Sequence, residues 1–173
     1  MPNHGMDLIG SENVLRLSER FKYLVDVIGV VTYVRHDKNY FLDGTSTKTV
    51  TFKLTDERNH IYCEISGQYV DLFRDMRKNI GLGLPLVVLQ FAKVTKAQGR
   101  TLVQGIDGIT KLYVNPQFYE ARKFRTSLIL YMDRERRRLG ICQSDKPIGY
   151  RVKLVVEDET GAAFLEAYDH VML

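Results

Sequence analysis

The sequence predicts an all-β fold: a five-stranded barrel with a helix between its third and fourth strands, followed by a helical linker and a C-terminal β-hairpin fragment. Three observations lead there. Runs of β-branched and aromatic residues recur, several with strict period-two alternation. A single segment between the third and fourth runs switches to helical spacing. Turn residues such as Asp43-Gly44 and Asp56-Glu57-Arg58-Asn59 separate the runs.

The elements follow in order. Residues 10–22 read as a short helix or lead-in, with Ser11 or Asn13 as a cap and Leu15, Leu17 and Phe21 as its apolar side. Residues 23–34 form the first strand, and Gly29 inside it marks a bulge or sharp bend of the kind small barrels need at their corners. Residues 35–47 are polar and read as the first loop. In the second strand, 48–55, Val50, Phe52 and Leu54 alternate with Thr51, Lys53 and Thr55. In the third, Ile61, Cys63 and Ile65 alternate with Tyr62 and Glu64. Val70, Phe73 and Met76 then share one face of a helix over 67–78. The fourth strand, 84–95, joins a fifth, 101–114, through Lys96-Ala97-Gln98-Gly99, and the fifth is interrupted near Gly105 and Gly108. This is the element order of an OB-fold, a Greek-key barrel; an unrelated small α+β domain is the alternative architecture. Asn115-Pro116 ends the fifth strand, since proline has no N–H to give a ladder. Residues 118–139 are helical in part and basic. Residues 150–157 and 162–168 form a hairpin around Asp158-Glu159-Thr160-Gly161. Two strands are not a stable domain alone, so this tail is expected to dock on the barrel, pair with a partner, or belong to something larger. The expected division is a lead-in at 1–20, the barrel at 21–116, the basic linker at 117–140, and a partial second OB-like segment at 141–173.

Composition narrows the function classes. The 173 residues are 45% hydrophobic and 27% charged, the balance of a globular chain. The longest apolar runs have strand length, no signal peptide is visible, and no membrane association is expected. Cys63 and Cys142 are the only cysteines and neither belongs to a C-x-x-C pair, so neither a disulfide framework nor a zinc site is suggested. A reducing, intracellular compartment is the simplest reading. Net charge is +4, but its distribution is uneven. Lys and Arg balance Asp and Glu at 11 each over residues 1–90, then lead by 7 to 2 over residues 91–125. That middle excess suits an anionic partner, or simply a solvated basic face.

At this point the residues carry a family likeness. Tyr23-Leu24-Val25-Asp26-Val27-Ile28-Gly29-Val30-Val31 resembles the opening strand of the second DNA-binding OB domain in the large subunit of replication protein A. Leu86 through Val94, with Gly99-Arg100-Thr101, resembles that domain's fourth strand and its hairpin into the fifth. Thr110 through Pro116 is similar to its closing strand, and the plant-type versions are the nearest in character. The resemblance spans about residues 20–125 as a spread pattern. Tyr150 through Leu154 and Asp158 through Phe164 resemble part of that family's next OB domain. There a four-cysteine zinc ribbon precedes the stretch; here Cys142 alone lies nearby, so no metal and no other cofactor is expected. The resemblance implies a nuclear protein of DNA replication, repair or recombination, with single-stranded DNA and other replication protein A subunits as partners.

An OB-fold takes single strands across its second and third strands, between the first and fourth inter-strand loops. Cations track the phosphates and aromatic faces stack on the bases. The candidate cations are Lys38 and Lys48 at the ends of the first loop, Lys53 on the second strand, and Lys93, Lys96 and Arg100 about the last hairpin. The candidate stackers are Tyr62, pointing out of the third strand, and then Tyr40 and Phe41 in the first loop. The resemblance places the family's two main stacking positions at Ser66 and Ala97, neither of which stacks. Losing both costs roughly 2–6 kcal/mol of affinity. The alternative to a single-stranded DNA-binding protein is therefore an OB-fold protein–protein interaction module; a truncated copy without robust activity is a third reading.

Other signals read as structure. Asp71 and Asp75 share a solvated helix face with Arg74, Arg77 and Lys78. His4, His36, His60 and His170 have no metal spacing, and Cys63 reads as a core residue. Gly81-Leu82-Gly83 lacks the third glycine of a dinucleotide fingerprint. Arg134 through Arg138 reads as a charged helix face, a nuclear localisation patch or an extra phosphate contact. No nucleotide-binding or nucleophile motif occurs, and no enzyme is expected.

Overall fold

The structure, a computed structural model, describes the backbone of residues 5–42, 45–79, 84–97, 99–139, 152–158 and 161–167. Side chains are described within these except at 36–42, 45–46, 76–77, 79, 97 and 136 and throughout the last two segments. The elements are β1 (Leu8–Ile9), α1 (Ser11–Arg16), β2 (Leu24–Leu42), β3 (Thr45–Thr55), β4 (His60–Ser66), α2 (Gln68–Asn79), β5 (Leu86–Ala97), β6 (Arg100–Gln104), β7 (Lys111–Val114), α3 (Tyr119–Arg138), β8 (Val152–Asp158) and β9 (Gly161–Ala167).

Pairing runs β5–β6–β4–β3–β2, and β2 returns to β5, so five strands close on themselves. The β4–β6 pair is parallel and the other four barrel pairs are antiparallel. The OB barrel expected from the strand order is present. The fifth strand is broken as expected: β6 and β7 both pair with β5, at residues 93–97 and 87–90, and residues 105–110 bulge out between them.

Closure depends on β2 changing neighbours. Its residues 24–30 pair with β5 and its residues 30–42 with β3. Gly29 stands at that exchange, where a Cβ would lie 2.9 Å from Leu54 Cβ and 3.1 Å from the Thr55 nitrogen. The bend read into Gly29 is thus a place where two strands meet too closely for any side chain.

The polar stretch 35–47, expected as a loop, is a correction: it is mostly strand. β2 runs on to Leu42 and β3 begins at Thr45, forming a ribbon that continues past the last β3–β4 pair, Thr49 with Ser66. Partner strands override composition here, because backbone N–H and C=O groups pair whatever the side chains are. The Asp43-Gly44 turn lies outside the described residues. The C-terminal hairpin, left open by the sequence, adds to the same ribbon: β8 pairs parallel with β2 at Val34 and Arg35.

The core fills the barrel with one alternation phase of each strand. Val50, Phe52, Leu54, Ile61, Cys63, Ile65, Val87, Leu89 and Val103 are all buried. Helix α2 plugs one end, with Val70 and Phe73 buried and the Phe73 ring stacked on Phe52 at 4.8 Å. The Tyr69 hydroxyl donates to the Thr110 carbonyl at 2.6 Å, tying the plug to the 105–110 excursion. A second, smaller core sits on the outer wall. There Ile28, Leu86 and Val88, from the opposite phase, meet Ala121, Phe118 and Phe124 at the start of α3.

Asp56 fastens the lead-in to the β3–β4 turn. Its carboxylate accepts from the backbone N–H groups of Ser11, Arg58 and Asn59 at 2.9 to 3.0 Å. Burial alone pushes this carboxyl up, but the hydrogen bonds from Ser11, Asn59 and Arg58 outweigh it and hold it below the ordinary aspartate value.

Two outcomes are expected. Gly29→Ala lowers the urea midpoint by an amount equivalent to about 1–3 kcal/mol, with an unchanged denaturant slope. For Asp56, the folded-state pKa lies below the unfolded value of about 3.9, so its contribution is present above that pH and fades as pH falls through the folded value. Urea unfolding at pH 7 and near pH 3 checks this: destabilisation by Asp56→Asn shrinks at the lower pH.

Candidate nucleic-acid interface

The phase that fills the core leaves the other phase on the outer wall, and register decides which outward residues become neighbours. One row runs Tyr33 (β2), Lys53 (β3), Tyr62 (β4), Leu102 (β6) and Thr95 (β5). The next runs Arg35, Thr51, Glu64, Gln104 and Lys93. These two rows cross the face on which OB-folds bind single strands.

The first row has the parts such binding needs. Lys53 Nζ lies 5.3 Å from the Tyr62 ring centre and 5.7 Å from that of Tyr33. His60, exposed, meets Tyr62 edge-on at 5.8 Å. A cation over an exposed ring contributes about 0.5–1 kcal/mol. A base stacked on an aromatic contributes about 1–3 kcal/mol. Tyr33, Lys53 and Tyr62 are half-buried, and by these magnitudes a stacked base would outweigh the Lys53 contact on a tyrosine face. The second row is more polar and internally bonded: Gln104 donates to Glu64 at 2.9 Å, and Thr95 Oγ1 donates to Gln104 Oε1 at 3.2 Å.

The residues singled out in the sequence fall into three groups. Lys53 and Tyr62 stand together on the face, and Lys93 and Arg100 are exposed on the same outward phase of β5 and β6. Lys48 and Lys96 are exposed but share the phase of core residues, so they stand at the barrel's ends and not on the face. Lys38, Tyr40 and Phe41 sit on β2, not in a loop; Tyr40 and Phe41 pair with Thr47 and Ser46, and the side chains of all three lie outside the described residues. Ser66 ends the outward phase of β4, while the Ala97 side chain is outside the described residues.

Sequence reasoning missed Tyr33. It lies beyond a register shift between Val31 and Tyr33, so period-two counting along β2 gave no sign that it faces Lys53. The Thr32–Thr55 hydroxyl pair at 2.7 Å marks that irregularity. Cys63 is wholly buried, and burial pushes its thiol far up, in keeping with a core role. Asp71 and Asp75 pair with Arg74 and Lys78 on an exposed helix face. Among the described residues no group of His, Cys, Asp and Glu is arranged to hold a metal, and no helix is long and apolar enough to cross a membrane.

Among solved structures the chain is similar to a chain of a replication protein A heterotrimer bound to ssDNA. The TM-score is 0.58 at 15% identity, over 70% of this chain and 28% of that one. It is also similar to the OB domain of Ta0387 from Thermoplasma acidophilum, with TM-score 0.46 and 20% identity over 65% of this chain and 91% of that one. No protein-family model and no curated protein matches. At this identity the first likeness bears on the fold alone, and it agrees with the OB barrel described above.

If Lys53 meets a phosphate, Lys53→Gln lowers the slope of log K against log salt for a single strand by about 0.7. Titrations of an oligo-dT at several salt concentrations read this directly.

Proposed function

We propose that this chain is a single-stranded DNA-binding module of the replication protein A large-subunit type, corresponding to the second OB domain and part of the third. In this reading it works in DNA replication, repair or recombination in the nucleus, beside other subunits of that assembly. It holds the strand by stacking and by counterion release, with little sequence selectivity, and performs no chemistry. The observation that carries the reading is the Tyr33–Lys53–Tyr62 row: two aromatic faces flanking a cation across the binding face of an OB barrel. The row supplies stackers where Ser66 does not. The likeness to a protein that binds ssDNA adds support at the level of the fold.

Fluorescence anisotropy with oligo-dT of roughly 20–30 nucleotides, longer than the ~4–16 that one OB-fold occupies, tests this. Micromolar or tighter binding, preference for the single strand over a duplex, and steady weakening with salt are expected. Tyr33→Ala and Tyr62→Ala should each cost about 1–3 kcal/mol of affinity. Absence of binding at low salt sinks the reading and favours the protein-interaction module, to which Ser66 at a family stacking position points.

A further inference from the structure

Phe91 is held in a conformation that bulky residues rarely adopt. Its φ is 60°, in the left-handed region where a Cβ crowds the backbone. The other non-glycine residue with positive φ among those described is Asn115, a type that tolerates the region. The strain comes from a bulge, with Gln90 and Phe91 of β5 together opposing Asp26 of β2. Two nearly buried side chains pin it: Asp26 Oδ1 accepts from the Phe91 N–H at 2.9 Å, and Thr110 Oγ1 donates to the Phe91 carbonyl at 2.9 Å.

The result of this strain is an aromatic ring held outward. Phe91 is 38% exposed on the barrel wall, with Lys111 Nζ 5.8 Å from its ring centre. Exposed Leu24 lies on β2, paired with Lys93, and exposed Ile109 lies in the 105–110 excursion next to Thr110, which bonds the Phe91 carbonyl; Lys93, two residues along β5, is exposed too. Lys93 pairs with Gln104, so this wall adjoins the outer row of the binding face. From residue 91 to 111 the chain carries Lys93, Lys96, Arg100 and Lys111 against the single acid Asp107. An apolar protein partner would not need that charge; a polyanion with flat bases would.

We infer that Phe91 and Lys111 form a second stacking-and-phosphate contact for a single-stranded nucleic acid, which follows the strand from the Tyr33–Lys53–Tyr62 face around the barrel past Lys93. The inference rests on the reading of the main face as a single-strand site. Phe91–Lys111 repeats the aromatic–cation pairing of Tyr62–Lys53 on a different wall, and Lys93 bridges the two. Strand length is then the readout, because only a longer strand reaches both contacts.

The test compares the full chain, its Phe91→Gly variant and its Lys111→Gln variant on oligo-dT of about 6 and about 20 nucleotides, within and beyond one OB-fold's footprint. Glycine accepts the left-handed conformation, so Phe91→Gly removes the ring while keeping the bulge. Comparing variant with parent at each length cancels the statistical advantage of longer strands. Phe91→Gly is expected to weaken 20-mer binding about 5- to 150-fold, the range of one stack, and 6-mer binding hardly at all. Lys111→Gln is expected to lower the salt slope by about 0.7 on the 20-mer only. Unchanged 20-mer affinity and slope, or equal losses at both lengths, overturn the second contact and leave the main face standing. No binding of the parent chain at either length overturns both. Should Phe91→Gly fail to fold, the Lys111→Gln slopes decide.

Discussion

One strand has to satisfy two sets of neighbours, and the rest of the molecule follows from how it does so. β2 gives its first half to β5 and its second half to β3, and only by bending at Gly29 can it reach both. At that bend Leu54 and Thr55 come so close that a methyl group has no room. Once β2 is shared, the sheet has no free edge within the five strands, and every inward phase faces a common interior. Phe52, Phe73, Leu54 and Leu89 then exclude water from one continuous core, the main favourable contribution to folding. The same closure curves the outward phases of β3 and β4 into the face that carries Lys53 and Tyr62.

The outer wall is not uniform. Where β2, β5 and β7 meet, the outward residues are apolar and the start of α3 covers them. Across β2, β3 and β4 they are polar or amphipathic, and Tyr33, Lys53 and Tyr62 are half-buried there. The contrast follows from the residue types: Ile28, Leu86 and Val88 pay a hydration penalty when exposed, whereas tyrosine and lysine carry a polar end that water satisfies. The wall thus divides into an apolar part that the start of α3 covers and a polar, half-exposed part that carries the Tyr33–Lys53–Tyr62 row. Phe91 breaks this pattern, being apolar, strained and partly exposed, and it is held there by buried Asp26 and Thr110.

Much of this architecture was legible in the residues. Alternation at Val50, Phe52 and Leu54, and at Ile61, Cys63 and Ile65, is a local signal: neighbouring Cβ atoms point to opposite faces, so composition reports phase directly. Helical spacing at Val70 and Phe73 announced the plug in the same way. Less legible was the stretch 35–47, whose polar residues resemble a loop; the ladder with β3 and the pairing with β8 make it strand, and neither neighbour is visible from within the stretch.

The sequence by itself therefore determined the order of elements along the chain, the core phase and the outward placement of Lys53 and Tyr62, because each depends on residues within a few positions of one another. Tertiary structure alone decided what lies beside what. Tyr33 joins Lys53 only because the register shifts after Val31, and Phe91 faces outward only because two residues of β5 oppose one of β2. Bulges and register shifts are set by the fit between strands distant in sequence, held here by contacts such as Asp26 to Phe91 across 65 residues. Period-two counting along one strand carries no record of them.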